Sequence, residues 1–245
     1  MTFLLAALLL AADPWFTRGT IAMTAGQTTF DANVHGASFA GNGQGGQLGV
    51  DHYGRHLGFD LVLAGSQAAL PGGPADTAVI PSRAEAGEVD AAFTGALLNS
   101  HGLFLAIGPA VEARATMAGT FEQGNALATS WQTVVGGGAL HTRVFAGPHV
   151  YFTGHGYYGA VPLSGHWQTV DAAQAAASTT GTPLLAGNVK DPSVVSGSLA
   201  ASVRPVEWLA LSGGIAARDA TFSLDDGTHS HEHSVRPFLG LELLY

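Results

Sequence analysis

Cysteine is absent from all 245 residues, so neither a disulfide framework nor thiolate chemistry is available to the chain. Charge is scarce: only 11% of residues carry it, and 9 basic groups against 18 acidic ones leave a net charge of −9. A surface of that sign repels a phosphate backbone, which argues against a nucleic-acid partner. Long apolar runs are missing too, although 47% of residues are hydrophobic. None approaches the roughly 20 residues that a membrane-spanning helix requires. Apart from a short Ala-rich piece at 170–177, no segment sustains a 3.6-residue period, and no repeat of fixed length stands out. Walker A, H-E-x-x-H and G-x-S-x-G motifs are all absent. Gly41 to Gly46 matches G-x-G-x-x-G in spacing. A dinucleotide site needs a strand before that motif and a helix after it. Here a strand pattern follows, so the stretch reads as a flexible loop.

What is present is glycine, at 34 residues, and alternation with period two. Segments of about ten alternating residues suit tilted strands that cross a bilayer. Ile21, Met23 and Ala25 alternate with Thr20, Ala22 and Thr24, and Leu57, Phe59, Leu61 and Leu63 with Gly58, Asp60, Val62 and Ala64. Short turns are expected near residues 54, 100, 147 and 205, and long polar loops at 30–45, 70–85, 119–131, 160–193 and 225–233. Alternating connections imply an even strand number, about ten with eight as the smaller alternative. Facing residues on paired strands must point the same way. The apolar face changes from even to odd numbers across Gly54-Arg55, which fits a two-residue hairpin turn. It stays odd across Asn99-Ser100-His101, which fits a three-residue turn with Leu97 opposite Leu103.

The two ends carry further signals. Residues 1–12 hold the apolar run Thr2 to Ala12, too short to span as a helix and suited to the core of a secretory signal peptide. A single β-barrel domain is expected over 18–245. In the closing strand Val235, Pro237, Leu239, Leu241, Leu243 and Tyr245 share one face, while Arg236, Phe238, Gly240, Glu242 and Leu244 share the other. A last strand ending on Leu239, Leu241, Leu243 and Tyr245 resembles the C-terminal strand of Gram-negative outer-membrane β-barrels. That resemblance implies an all-β, antiparallel transmembrane barrel with short periplasmic turns and long outer loops. It also implies the lipid bilayer and the outer-membrane assembly machinery as partners, the terminal residues being the assembly signal.

On this reading the inward face collects Asp51, Asp60, Glu88, Asp90, Glu112, Arg114, His141, Arg143, Tyr151, His155, Tyr157, Arg218, Arg236 and Glu242. A charge facing lipid costs on the order of 2–4 kcal/mol near the midplane, so their shared parity has a physical cause. A barrel of this size is filled by side chains, or nearly so. His141 and His155 fall on adjacent strands, diagonal to each other, with Arg143 and Tyr157 nearby; such a group can hold an anion or carry protons. Trp131 and Trp208 lie near predicted strand ends, where an aromatic belt belongs, although Trp208 has inward parity.

The last loop gathers Asp225, Asp226, His229, His231 and His233, residue types that ligate divalent metals. A weak metal site is the one cofactor this pattern allows. Ser230 or Ser234 beside His231 or His233, with Asp225 or Asp226, supplies the residue types of a hydrolase, but a triad is defined by geometry. The sequence therefore points to a passive outer-membrane barrel: a narrow pore, a small-solute path or a scaffold for outer loops. An outer-rim enzyme acting on lipid or peptide and a soluble secreted β-sandwich or barrel are the alternatives.

Overall fold

The computed structural model describes residues 19–54, 56–70, 83–100, 102–122, 125–171 and 184–245. The signal-peptide expectation at residues 1–12 lies outside these, as do Trp15 and most of the Ala-rich piece at 170–177. The strands are β1 (Gly19–Val34), β2 (Ala37–Tyr53), β3 (Leu57–Ala69), β4 (Arg83–Ser100), β5 (Leu103–Glu122), β6 (Asn125–Phe145), β7 (Val150–Asp171), β8 (Leu185–Val206), β9 (Leu209–Leu224) and β10 (His229–Leu244). Each pairs antiparallel with its sequence neighbours, and β1 pairs with β10, so ten strands close into a barrel. Gly19 and Tyr245 exchange both backbone hydrogen bonds at 3.0 Å, sealing the seam at the end where the chain enters and leaves.

Most strands are longer than the sequence predicts, reaching 22 residues in β7 and β8 against the roughly 9–11 that cross a bilayer. The extra length lies at the end away from the termini, in segments expected to be loops. Residues 30–45 are the outer halves of β1 and β2 joined by His35-Gly36, both at positive φ (51° and 79°). That is the two-residue turn whose twist matches a hairpin, and Gly36 takes its conformation without strain. The Gly41–Gly46 stretch, read as a flexible loop, lies within β2. Residues 119–131 are likewise β5 running into β6, and 225–233 shrinks to a turn around Gly227 (φ 86°). The ladder between β7 and β8 is interrupted between Gly159 and His166, in step with positive φ at Asp191.

These outer halves escape a hydropathy reading because their pattern is inverted. Along β1, Ile21 and Met23 face out in the lower half while Thr20 and Thr24 face in. In the upper half Gln27, Thr29 and Asp31 face out, and Phe30, Ala32 and Val34 are buried inside. Gln27, Gln44, Gln67 and Glu85 are successive cross-strand partners on the outer wall and mark the change. Below that row the wall is apolar and exposed, with Leu199 at 67% and Leu239 at 76%. The apolar face therefore does not pack inward as a soluble sandwich would require.

The turns correct the parity argument in detail while keeping its sum. The Gly54 N–H donates to the Leu57 carbonyl at 2.8 Å, so the strands close on each other one residue later than the expected Gly54-Arg55 turn. Ser100 pairs with Leu103 and Leu98 with Leu105, so Leu97 does not face Leu103. A bulge between Ala96 and Leu98 absorbs the extra residue that the expected three-residue turn would have held. Trp131 is buried inside the barrel, not in a belt, whereas Trp208 sits exposed in the β8–β9 turn and not on the inward register. Replacing Leu199 by Arg will cost about 2–4 kcal/mol in lipid vesicles, whereas Gln44→Arg will cost about 0–1 kcal/mol. Urea titration of the two refolded variants measures this difference, and equal losses would rule out the two-zone wall.

Candidate functional site

Closure places the inward side chains of all ten strands in one lumen, where they form successive levels. At the level nearest the termini, the Tyr53 hydroxyl donates to Asp60 and the Tyr151 hydroxyl to Glu242. Ser202 donates to the other Glu242 oxygen at 2.9 Å. Arg143 approaches Asp51 at 3.5 Å and lies 5.6 Å from the Tyr151 ring centroid. His141 is held between the rings of Tyr53 (4.4 Å) and Phe104 (5.8 Å). Its Nδ1 is 3.1 Å from Nδ1 of His155 and 3.9 Å from an Asp60 carboxylate oxygen. His141 and His155 are directly opposed, not diagonal, because Phe145 pairs with Tyr151, so that five residues, 146–150, lie between the paired ends where three were expected.

Above this level is a cavity of ≈ 180 Å³, walled by small residues such as Ala139, Ser196 and Ser198 and bordered by Tyr157 and Arg236. Tyr157 donates to the Val135 carbonyl at 2.6 Å, and Arg236 to Gln47 Oε1 at 2.5 Å. The next level is ionic. Glu232 Oε1 accepts from Arg114 Nε at 2.5 Å and faces Arg218 Nη1 at 3.3 Å. Its Oε2 accepts from Trp131 Nε1 at 2.7 Å and from Thr116 at 3.2 Å. Arg114 also donates to Glu88 at 2.6 Å, and Arg218 to Glu112 at 2.7 Å, with Asp90 beside these carboxylates. Each buried carboxylate of the Glu232–Arg set thus meets a guanidinium donor, the condition under which ions are tolerated out of water. Above the ions, Phe30, Phe39, Trp131, Trp167, Phe222 and Leu224 belong to a buried apolar cluster. This cap fills the far end of the lumen.

The fourteen inward residues expected from parity all occupy the inner register and divide among these levels. Asp51, Asp60, His141, Arg143, Tyr151, His155 and Glu242 form the lower one; Glu88, Asp90, Glu112, Arg114 and Arg218 the ionic one; Tyr157 and Arg236 border the cavity. Glu232, the residue at the centre of the ionic level and 1% exposed, was not among them. It had been placed in a loop, yet its even number matches Arg236 and Glu242, so extending the strand pattern four residues would have found it. Tyr53, Thr116 and Trp131 were missed for the same reason: they sit where the predicted strands stopped or the belt was expected.

The last-loop cluster is taken apart by the same register. His229, His231 and His233 do share a face, but it is the outer face of β10, where each turns to a different neighbour. His229 meets Ser223 at 3.1 Å, His231 meets Asp31 at 3.2 Å, and His233 meets Asp219 at 3.3 Å. Asp225 accepts from the Asn188 N–H (3.2 Å) and the Trp167 indole (3.3 Å), which hold its carboxyl below the usual carboxylate range. Asp226 accepts from the Thr228 N–H at 2.8 Å and pairs with His35 at 2.9 Å, and its carboxyl is lowered likewise, chiefly by Thr228. These five residues are not gathered for one ion. Among the described residues, donor atoms converge within 4.8 Å in Asp60–His141–His155 and in Glu88–Asp90–Glu112. Ser230 and Ser234 lie on the inner face of β10, so the barrel wall separates them from His231 and His233. Truncating Glu232 to Ala leaves two buried guanidiniums without their shared carboxylate and will cost about 3–5 kcal/mol. His231→Ala, on the exposed face, will stay within about 0.5 kcal/mol of the parent in the same urea titration.

No family model and no curated protein sequence matches the chain. Among solved structures, the outer membrane protease OmpT from Escherichia coli superposes with a TM-score of 0.63 at 10% identity, covering 94% of this chain and 97% of that one. The Ralstonia pickettii toluene transporter TbuX gives 0.41 at 9% identity, over 97% of this chain and 93% of that one. The attachment invasion locus protein Ail of Yersinia pestis gives 0.36 at 10% identity, over 93% and 99%. The fold of the present chain is that of the small Gram-negative outer-membrane β-barrels.

Proposed function

We propose that the protein resides in the bacterial outer membrane as a non-conducting barrel that serves as a rigid scaffold for its outer end. The observation that carries this reading is a lumen crossed by side chains both below and above its ≈ 180 Å³ cavity. A polar level, an ionic level and an apolar cap succeed one another along the axis, each made of side chains contributed by several strands. Water and small solutes crossing such an interior would have to displace paired charges and a dry aromatic cluster together. The outer halves of the strands, polar outside and apolar inside, carry the connections well beyond the lipid zone on a stiff support. Short turns at the other end, with both termini, then face the periplasm.

An enzymatic role finds no support in the geometry. The serine and histidine residues that suggested a hydrolase lie on opposite sides of the wall, and OmpT at 10% identity shares a fold without lending its proteolysis. The test combines fractionation with electrophysiology. The protein is expected in the outer-membrane fraction, to change gel mobility when boiled in SDS, and to give no stable conductance steps in planar bilayers. Reproducible ion-conducting steps from the wild-type chain would overturn the scaffold reading, and recovery in the soluble fraction would overturn the location.

A further inference from the structure

We propose that the lower lumen level is a binding site for one divalent first-row transition-metal ion, with Asp60, His141 and His155 as its ligands. One donor atom from each lies within 4.8 Å of the others. The two Nδ1 atoms are 3.1 Å apart, and Nδ1 of His141 is 3.9 Å from Asp60 Oδ1. Donors bound to tetrahedral zinc at about 2.0–2.1 Å stand about 3.3 Å from one another. The two imidazole nitrogens already stand near that spacing, and the carboxylate oxygen would move in to complete the set.

The polar accounting of this level also calls for a cation. A proton shared between the imidazoles satisfies one Nδ1 pair and leaves Asp60 Oδ1, which is buried, without any hydrogen bond. Asp60 also stands directly opposite Asp51 across β2 and β3, a like-charge pairing that is unfavourable by itself. Arg143 serves Asp51, while Asp60 Oδ1 faces the His141 imidazole at 3.9 Å. A dication would satisfy the three lone pairs together and offset the carboxylates.

The surroundings hold the ligands as a metal site requires. The Tyr53 hydroxyl takes Asp60 Oδ2, leaving Oδ1 directed to the imidazoles, and the Tyr53 and Phe104 rings fix the plane of His141. Asp60 and His155 border the ≈ 180 Å³ cavity, so the remaining coordination positions open onto space that can hold water. Two imidazoles and one carboxylate favour zinc, nickel, cobalt or copper over calcium or magnesium, which take oxygen ligands.

Cobalt(II) is the probe, because its visible absorption reports nitrogen coordination, and zinc then competes for the site. The full chain purified in detergent is expected to take up one Co²⁺ with new visible bands that Zn²⁺ removes. His155→Gln and Asp60→Asn, close in volume to the parents, should weaken binding at least 100-fold. Tyr53→Phe, which frees the second carboxylate oxygen, should weaken it 10–100-fold. The triple variant His229→Ala/His231→Ala/His233→Ala should bind as the wild type does. Gel mobility before and after boiling establishes that each variant is folded. Absence of saturable Co²⁺ binding in the wild type overturns the assignment. So do bands that survive in folded His155→Gln, or bands lost in the outer-face triple variant.

Discussion

In lipid every backbone N–H and C=O must find its partner within the protein, and this chain meets that demand by pairing β1 with β10. The seam at Gly19 and Tyr245 removes the last open edge, and the register it sets propagates around all ten strands. Since side chains alternate strictly, that register decides for each residue whether it meets lipid, water or the lumen. A slip of one residue on β10 would turn Glu232, Arg236 and Glu242 outward. The whole interior depends on closure in this register.

The barrel has two zones with opposite polarity. In the lower zone Leu199, Leu211 and Leu241 face out and the charges face in, the arrangement that the proposed membrane location requires. In the upper zone water is the outer solvent, so Asp31 and His231 face out while Phe30, Phe39 and Trp167 are buried. The Glu232–Arg114–Arg218 level lies between the polar interior and the apolar one. Trp131 spans this boundary, its ring in the apolar cluster and its N–H on Glu232. One continuous β-wall thus satisfies two solvents.

Much of the lower zone was legible because lipid enforces a simple rule on each strand. Leu57, Phe59 and Leu63 against Gly58 and Asp60 can be read in a window of seven residues. The upper zone was misread as loop at 30–45, 119–131 and 225–233, because its polar outer face and its glycines mimic loop composition. Its alternation was present all along: Gln27, Thr29 and Asp31 keep the odd numbers of Ile21 and Met23. The candidate metal cluster on β10 was misjudged for a related reason. Adjacent histidines at alternate positions do share a face, but the partners within reach, Asp31 and Asp219, belong to other strands.

The sequence by itself determined which side chains share a face of each strand, because alternation is a property of the local backbone and of the solvent it meets. The even strand number expected from alternating connections also stands, although the outer connections at 35–36 and 225–228 are as short as the inner turns. Only the tertiary structure decided which inward residues meet. Arg114 reaches Glu232 across 118 positions of chain, and Trp131 reaches the same carboxylate across 101. His141 faces His155 because Phe145 pairs with Tyr151, with five residues and not three between them. Contacts across a lumen follow from strand order, register and closure together, and these arise from pairings between distant segments that no local window of sequence contains.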